Sequence, residues 1–146
     1  MRLWHKYLIP YLPRQQLLAQ WRECCCIAKN IKENGTPNHI LVNKILNYPM
    51  NHFKAYCDLV CIEMEARGYR CDFHRLEIWL SDVYDYISDD SIFTGWHNDR
   101  YLIQCYFNLQ EKFDCGGITD AEWKKIAHSE IVCNLFTKNP HTQYNF

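Results

Sequence analysis

From Pro13 onward, Leu17, Leu18, Trp21, Cys25 and Ala28 recur at steps of three and four residues, which sets them on one stripe of a helix. Pro13 suits the first turn of that helix, where its missing N–H costs nothing. Asn34-Gly35 ends the pattern and Thr36-Pro37 prevents its resumption. Residues 39–46 carry Ile40, Leu41, Val42, Ile45 and Leu46 and predict a short buried helix. Pro49 opens a longer one with an apolar face of Phe53, Tyr56, Cys57, Val60, Cys61 and Met64, and Gly68 stands where a C-terminal cap belongs.

Further along, Leu76, Trp79, Leu80 and Val83 fit one amphipathic face. The spacing predicts another helix over residues 99–113, burying Leu102, Ile103, Tyr106 and Leu109, before Gly116-Gly117 breaks the chain. Thr119-x-x-Glu122 is a capping-box pattern that introduces Trp123 and Ile126. Residues 137–146 are polar, contain Pro140 and predict a loose tail. Nothing alternates with a period of two and nothing repeats. The expectation is an all-α chain, a single compact helical domain spanning residues 1–146.

Composition supports burial of a real core: 48% of the 146 residues are aliphatic, aromatic or cysteine, and 15% are aromatic. No apolar run approaches the roughly 18–20 residues of a membrane span. The start, Met1-Arg2-Leu3-Trp4-His5-Lys6, has no signal-peptide core behind its charges. Both features point to a cytoplasmic protein with no membrane partner. Nine cysteines in a reducing compartment read as free thiols. Cys57 and Cys61, four apart beside Phe53, Val60 and Met64, read as small buried hydrophobes, with metal ligation the weaker alternative.

Net charge is −1, which taken alone argues against a nucleic-acid binder. It is unevenly spread. Residues 1–54 hold eight basic groups against two acidic ones, +6, and residues 55–146 hold eight against fifteen, −7. Such asymmetry suggests a polyanion-binding face in the first part, or an ordinary solvated surface. Acid is densest over residues 72–90, where Asp72, Glu77, Asp82, Asp85, Asp89 and Asp90 face a single Arg75. The aromatics of residues 72–96 allow a partner-binding surface there.

The chain has no Gly-rich phosphate loop, no H-E-x-x-H and no G-x-S-x-G, so no cofactor and no metal are expected. Arg22-Glu23 stands out on the first helix, since a glutamate among basic groups can act as a general acid/base as well as a plain surface residue. Met1-Arg2-Leu3, followed by Leu12-Pro13-Arg14-Gln15-Gln16-Leu17-Leu18-Ala19-Gln20-Trp21-Arg22-Glu23, resembles the opening of the pyrimidine-dimer DNA glycosylase/abasic-site lyases of the bacteriophage endonuclease V type. The resemblance continues collinearly through His39, Glu63-Met64-Glu65-Ala66-Arg67-Gly68-Tyr69 and His97, and ends near Leu109-Gln110-Glu111-Lys112.

It implies a helical DNA-repair protein whose nucleophile is the N-terminal α-amine. An α-amino group titrates near 7.7–8 against about 10.4 for lysine, so part of it is neutral at pH 7. By resemblance Met1 supplies that amine, because Arg2 is too bulky for removal of the methionine. Glu23 matches the catalytic glutamate, Arg2 and Arg22 match DNA-gripping arginines, and Lys112 matches a basic residue of the last helix. His39 falls at a matched position suited to a phosphate contact. The implied partner is damaged double-stranded DNA, bound by a monomer. Three positions depart from the family pattern: Gln16 replaces a histidine, and Cys26 and Asn108 replace arginines. The family's aromatic-basic C-terminal stretch is missing. His5 and His97 read as hydrogen-bonded structural residues or neighbours of the site.

Overall fold

Pro13 lies in an extended conformation immediately ahead of the first long helix, α1 (Arg14–Asn34). Gly35 closes it in the left-handed region at φ 75°, with its N–H on the carbonyl of Ile31. The computed structural model describes residues 1–138, and its regular elements are all helical, with no strand among the described residues. Leu17, Trp21, Cys24, Cys25, Ile27 and Ala28 turn the buried stripe of α1 toward α2 (Met50–Ala66). On α2 the expected face of Phe53, Tyr56, Cys57, Val60, Cys61 and Met64 is fully buried. Gly68 takes φ 76°, and Tyr69 N–H reaches back to Met64 O at 2.9 Å, so the helix ends in a left-handed cap.

A leader precedes α1: residues 1–5 have no regular secondary structure and Lys6–Tyr11 forms a 3-10 turn packed on α2. The short buried helix expected over residues 39–46 is a turn followed by a 3-10 segment, Asn43–Asn47. Only Val42 and Ile45 enter the core, while Ile40, Leu41 and Leu46 are exposed. The cause is local. Asn38 adopts φ 56°, and His39 spends its N–H and ring on closing the turn, so no α-helix propagates from it.

After α2 come α3 (Phe73–Leu80), α4 (Asp99–Asp114), α5 (Asp120–Ala127) and α6 (Glu130–Lys138). Leu76 and Leu80 bury the inner side of α3 against α1, whereas Val83 lies beyond the end of that helix. The capping box at α5 forms as its sequence implies, Thr119 and Glu122 each accepting the other's N–H. Thr137 and Lys138 belong to α6, which shortens the expected tail; its remaining residues, 139–146, lie outside the described part. No helix is long and apolar enough to cross a membrane among the described residues.

Cys24, Cys25, Cys57, Cys61 and Cys105 are buried packing groups, whereas Cys26, Cys115 and Cys133 are exposed. Cys57 and Cys61 are fully buried, and burial drives both thiols well above their usual range, as it pushes Cys25 up to about 11. Among the described residues no group of three His, Cys, Asp or Glu side chains is arranged to hold a metal ion.

Candidate active site

The site begins with a polar residue inside the apolar stripe of α1. Gln20 is fully buried, and its amide meets the leader from below. Its Oε1 accepts the Trp4 N–H at 2.8 Å, and its Nε2 donates to Arg2 O at 3.0 Å and to Glu23 Oε2 at 3.3 Å. The Tyr56 hydroxyl, held protonated by burial, lies 2.6 Å from Trp4 O and 3.0 Å from Gln20 Oε1. Tyr101 donates its hydroxyl to Leu3 O. The start of the chain is thus fixed peptide by peptide.

The clamp continues past Trp4. Lys6 N–H donates to His97 Nδ1 at 3.0 Å, and the Lys6 ammonium donates to Asp90 O and Ile92 O, both at 2.7 Å. Burial lowers the Lys6 pKa, and it holds His5 down at about 4 and His97 at about 2. Both imidazoles are therefore neutral at pH 7 and stack with ring centroids 5.0 Å apart. His97 thus supports the leader from beneath, through His5 and the Lys6 N–H.

With the leader fixed, its first peptide group reaches the glutamate: Arg2 N–H points to Glu23 Oε2 at 3.4 Å. Met1 and Arg2 then border a cleft of about 550 Å³. Gln15, Leu18, Ala19 and Arg22, with Gln16 and Glu23, supply its α1 wall, because steps of three, four and seven residues share one helix face. Asn108 and Lys112 supply the α4 wall, Trp4 the base, and Leu41 a rim. The Arg2 guanidinium sits 5.6 Å from the Trp4 ring centroid, a cation–π contact that orients it. Gln16 Oε1 is buried there without a hydrogen-bond partner among the described residues.

Met1, Arg2, Arg22, Glu23 and Lys112 therefore share one cleft, although they come from three separate parts of the chain. Two departures from the family pattern, Gln16 and Asn108, line the same cleft; Cys26 is exposed and does not. His39 is not among the lining residues, and its Nδ1 accepts the Leu41 N–H at 3.3 Å within its own turn. Sequence reasoning missed Gln20. The signal was available, since an amide three residues after Leu17 and four before Cys24 interrupts a buried stripe and must find partners.

The family model described as pyrimidine dimer DNA glycosylase matches residues 1–75. The chain belongs to that family. The match spans the leader, α1 and α2, which are the elements that hold Met1, Arg2, Arg22 and Glu23 together. No curated protein and no solved structure matches the chain. Membership assigns a DNA repair glycosylase role in general terms, with DNA as the partner. Cationic side chains stand on both walls of the cleft, Arg22 on α1 and Lys112 on α4, with Arg2 on the leader between them.

Proposed function

We propose that the protein removes damaged bases, pyrimidine dimers or related lesions, from double-stranded DNA and then cuts the abasic site, acting as a monomer through the Met1 α-amine. The observation that carries this reading is the 3.4 Å contact between Arg2 N–H and Glu23 Oε2 at the mouth of the cationic cleft. It keeps the first residue beside a carboxylate, with Met1 40% exposed and open to substrate.

In this reading the neutral amine attacks the sugar C1′ and the bond from C1′ to the base breaks, the base leaving with the bonding pair. The departed base takes up one amine proton; the C1′–O4′ bond then breaks as the ring oxygen takes up the other, and the opened sugar is left with an imine at C1′. Glu23 stabilises the cationic sugar and then relays protons. Removal of a C2′ proton expels the 3′ phosphate, and the strand is cut by β-elimination. Arg2, Arg22 and Lys112 hold the phosphates on either side, and His39 can add a contact from the neighbouring turn.

Borohydride trapping on duplex DNA carrying abasic sites, and separately cyclobutane dimers, tests the reading. A covalent adduct is expected with the native chain. Glu23→Gln should lower its rate of formation by roughly 100-fold or more, in the range of a positioned acid/base. Absence of an adduct from the native chain on both substrates, or wild-type trapping by Glu23→Gln, overturns it. The first of those outcomes would leave a helical interaction module that keeps the fold.

A further inference from the structure

Two adjacent apolar side chains stand outside the core at the edge of the cleft. Ile40 is 84% exposed and Leu41 48% exposed, and both also line a second recess of about 380 Å³ with Arg2, Lys44, Trp96 and Asn108. Isolated exposed hydrophobes are ordinary on protein surfaces. This pair differs in how firmly it is presented. His39 N–H donates to Asn43 Oδ1 at 3.0 Å, and Val42 N–H and Asn43 N–H both donate to His39 O, at 3.0 and 2.9 Å. Leu41 N–H donates to His39 Nδ1, and the fully buried Val42 and Ile45 anchor the turn from beneath. Ile40 and Leu41 thus cap a rigid projection, not a loose loop.

Its surroundings are cationic. Lys44 and Arg2 share its recess, and Arg22 and Lys112 lie across the cleft that Leu41 also borders. A polyanion drawn to these groups presents its stacked bases to the projection, and an apolar tip between phosphate-binding cations is complementary to a base step, whose faces are the apolar part of DNA. Exposing a sugar C1′ to the leader requires a nucleotide to leave the stack, at a cost of a few kcal/mol that inserted side chains offset.

We propose that Ile40 and Leu41 form a wedge that enters the duplex beside the cleft and fills the gap left when a nucleotide is displaced. The inference rests on the DNA glycosylase reading above, but its readout is separable from the chemistry. The probe is a duplex holding a tetrahydrofuran abasic analogue, which cannot be cleaved by β-elimination through an imine, with 2-aminopurine as the neighbouring base. Wild-type protein should raise the 2-aminopurine fluorescence by unstacking it, and the Ile40→Ser/Leu41→Ser double variant should lose most of that rise. An Ile40→Leu/Leu41→Ile variant, equally apolar, should retain it. In trapping, the double variant's ratio of duplex to single-strand rates on true abasic sites should fall roughly tenfold or more, as loss of a wedge that offsets an unstacking cost implies.

Absence of a fluorescence rise with the wild type, or an undiminished rise with the double serine variant, overturns the wedge even if adducts form normally. A rise that depends on Ile40 and Leu41 in a protein that traps no DNA supports the wedge and overturns the lyase chemistry. A thermal melt of each variant matching the wild type confirms that the exposed turn has not cost the fold.

Discussion

Gln20 carries more of the site's geometry than any residue that faces the cleft. Its one amide serves Trp4, Arg2 and Glu23, so a size-matched Gln20→Leu leaves the Trp4 N–H and the Arg2 carbonyl buried without their partner. Losing them should cost about 2–4 kcal/mol, read as a lower denaturant midpoint. The adduct-forming rate should fall further than affinity for an abasic duplex, because the cationic lining is untouched while the first peptide moves away from Glu23. Equal losses in rate and affinity would show that Gln20 merely supports the fold. Motif order singles out Arg2, Arg22, Glu23 and Lys112, and the fold brings these four to one cleft. The clamp was not legible, since Tyr56 lies 36 residues from Gln20 and Tyr101 lies 98 from Leu3, separations across which no local pattern reaches.

Among the elements, the long helices were readable because a single face of each is buried and period 3.6 survives in the sequence. The turn at residues 39–46 differs from the expected helix for the opposite reason: its apolar run serves two environments, with Val42 and Ile45 inside and Ile40 and Leu41 outside. The end of α2 shows how a short motif becomes architecture. Gly68 turns the chain left-handed, and Arg67, ahead of it, donates through Nε to Glu63 at 2.7 Å and through its two terminal nitrogens to Leu12 O at 2.7 Å and Pro10 O at 3.1 Å. One guanidinium thus ties α2 to the turn that delivers the leader into α1. Lysine cannot make that fork. Arg67→Lys should therefore destabilise the protein by about 1–2 kcal/mol, visible in chemical denaturation, and increase amide exchange at Leu8 and Leu12. Unchanged exchange there would mean the fork is dispensable for docking the leader.

For the molecule as a whole, the joint between the leader, the segment around Phe93 and the start of α4 is built on unprotonated histidines. His97 Nδ1 accepts from Lys6, His5 Nδ1 from Tyr7 and His52 Nδ1 from Phe93, and burial depresses all three pKa values. A proton on any of these nitrogens removes an acceptor that bridges residues as far as 91 apart in sequence. In the unfolded chain the same rings protonate near 6.5, whereas folded His5 waits until about 4 and His97 until about 2. Below pH 6.5 the unfolded state therefore binds more protons, and stability falls as pH drops, the His5 contribution being exhausted near pH 4. Each of the two rings should cost about 1–2 kcal/mol by pH 5, so melting temperature should be flat between pH 7 and 8 and decline steeply below 6.5. His97→Asn, which offers an acceptor that does not titrate, should reduce that slope by roughly half, since one of two strongly shifted groups is gone. A wild-type melting temperature that holds steady from pH 7 down to pH 5 would show that these rings gain their protons without leaving the core.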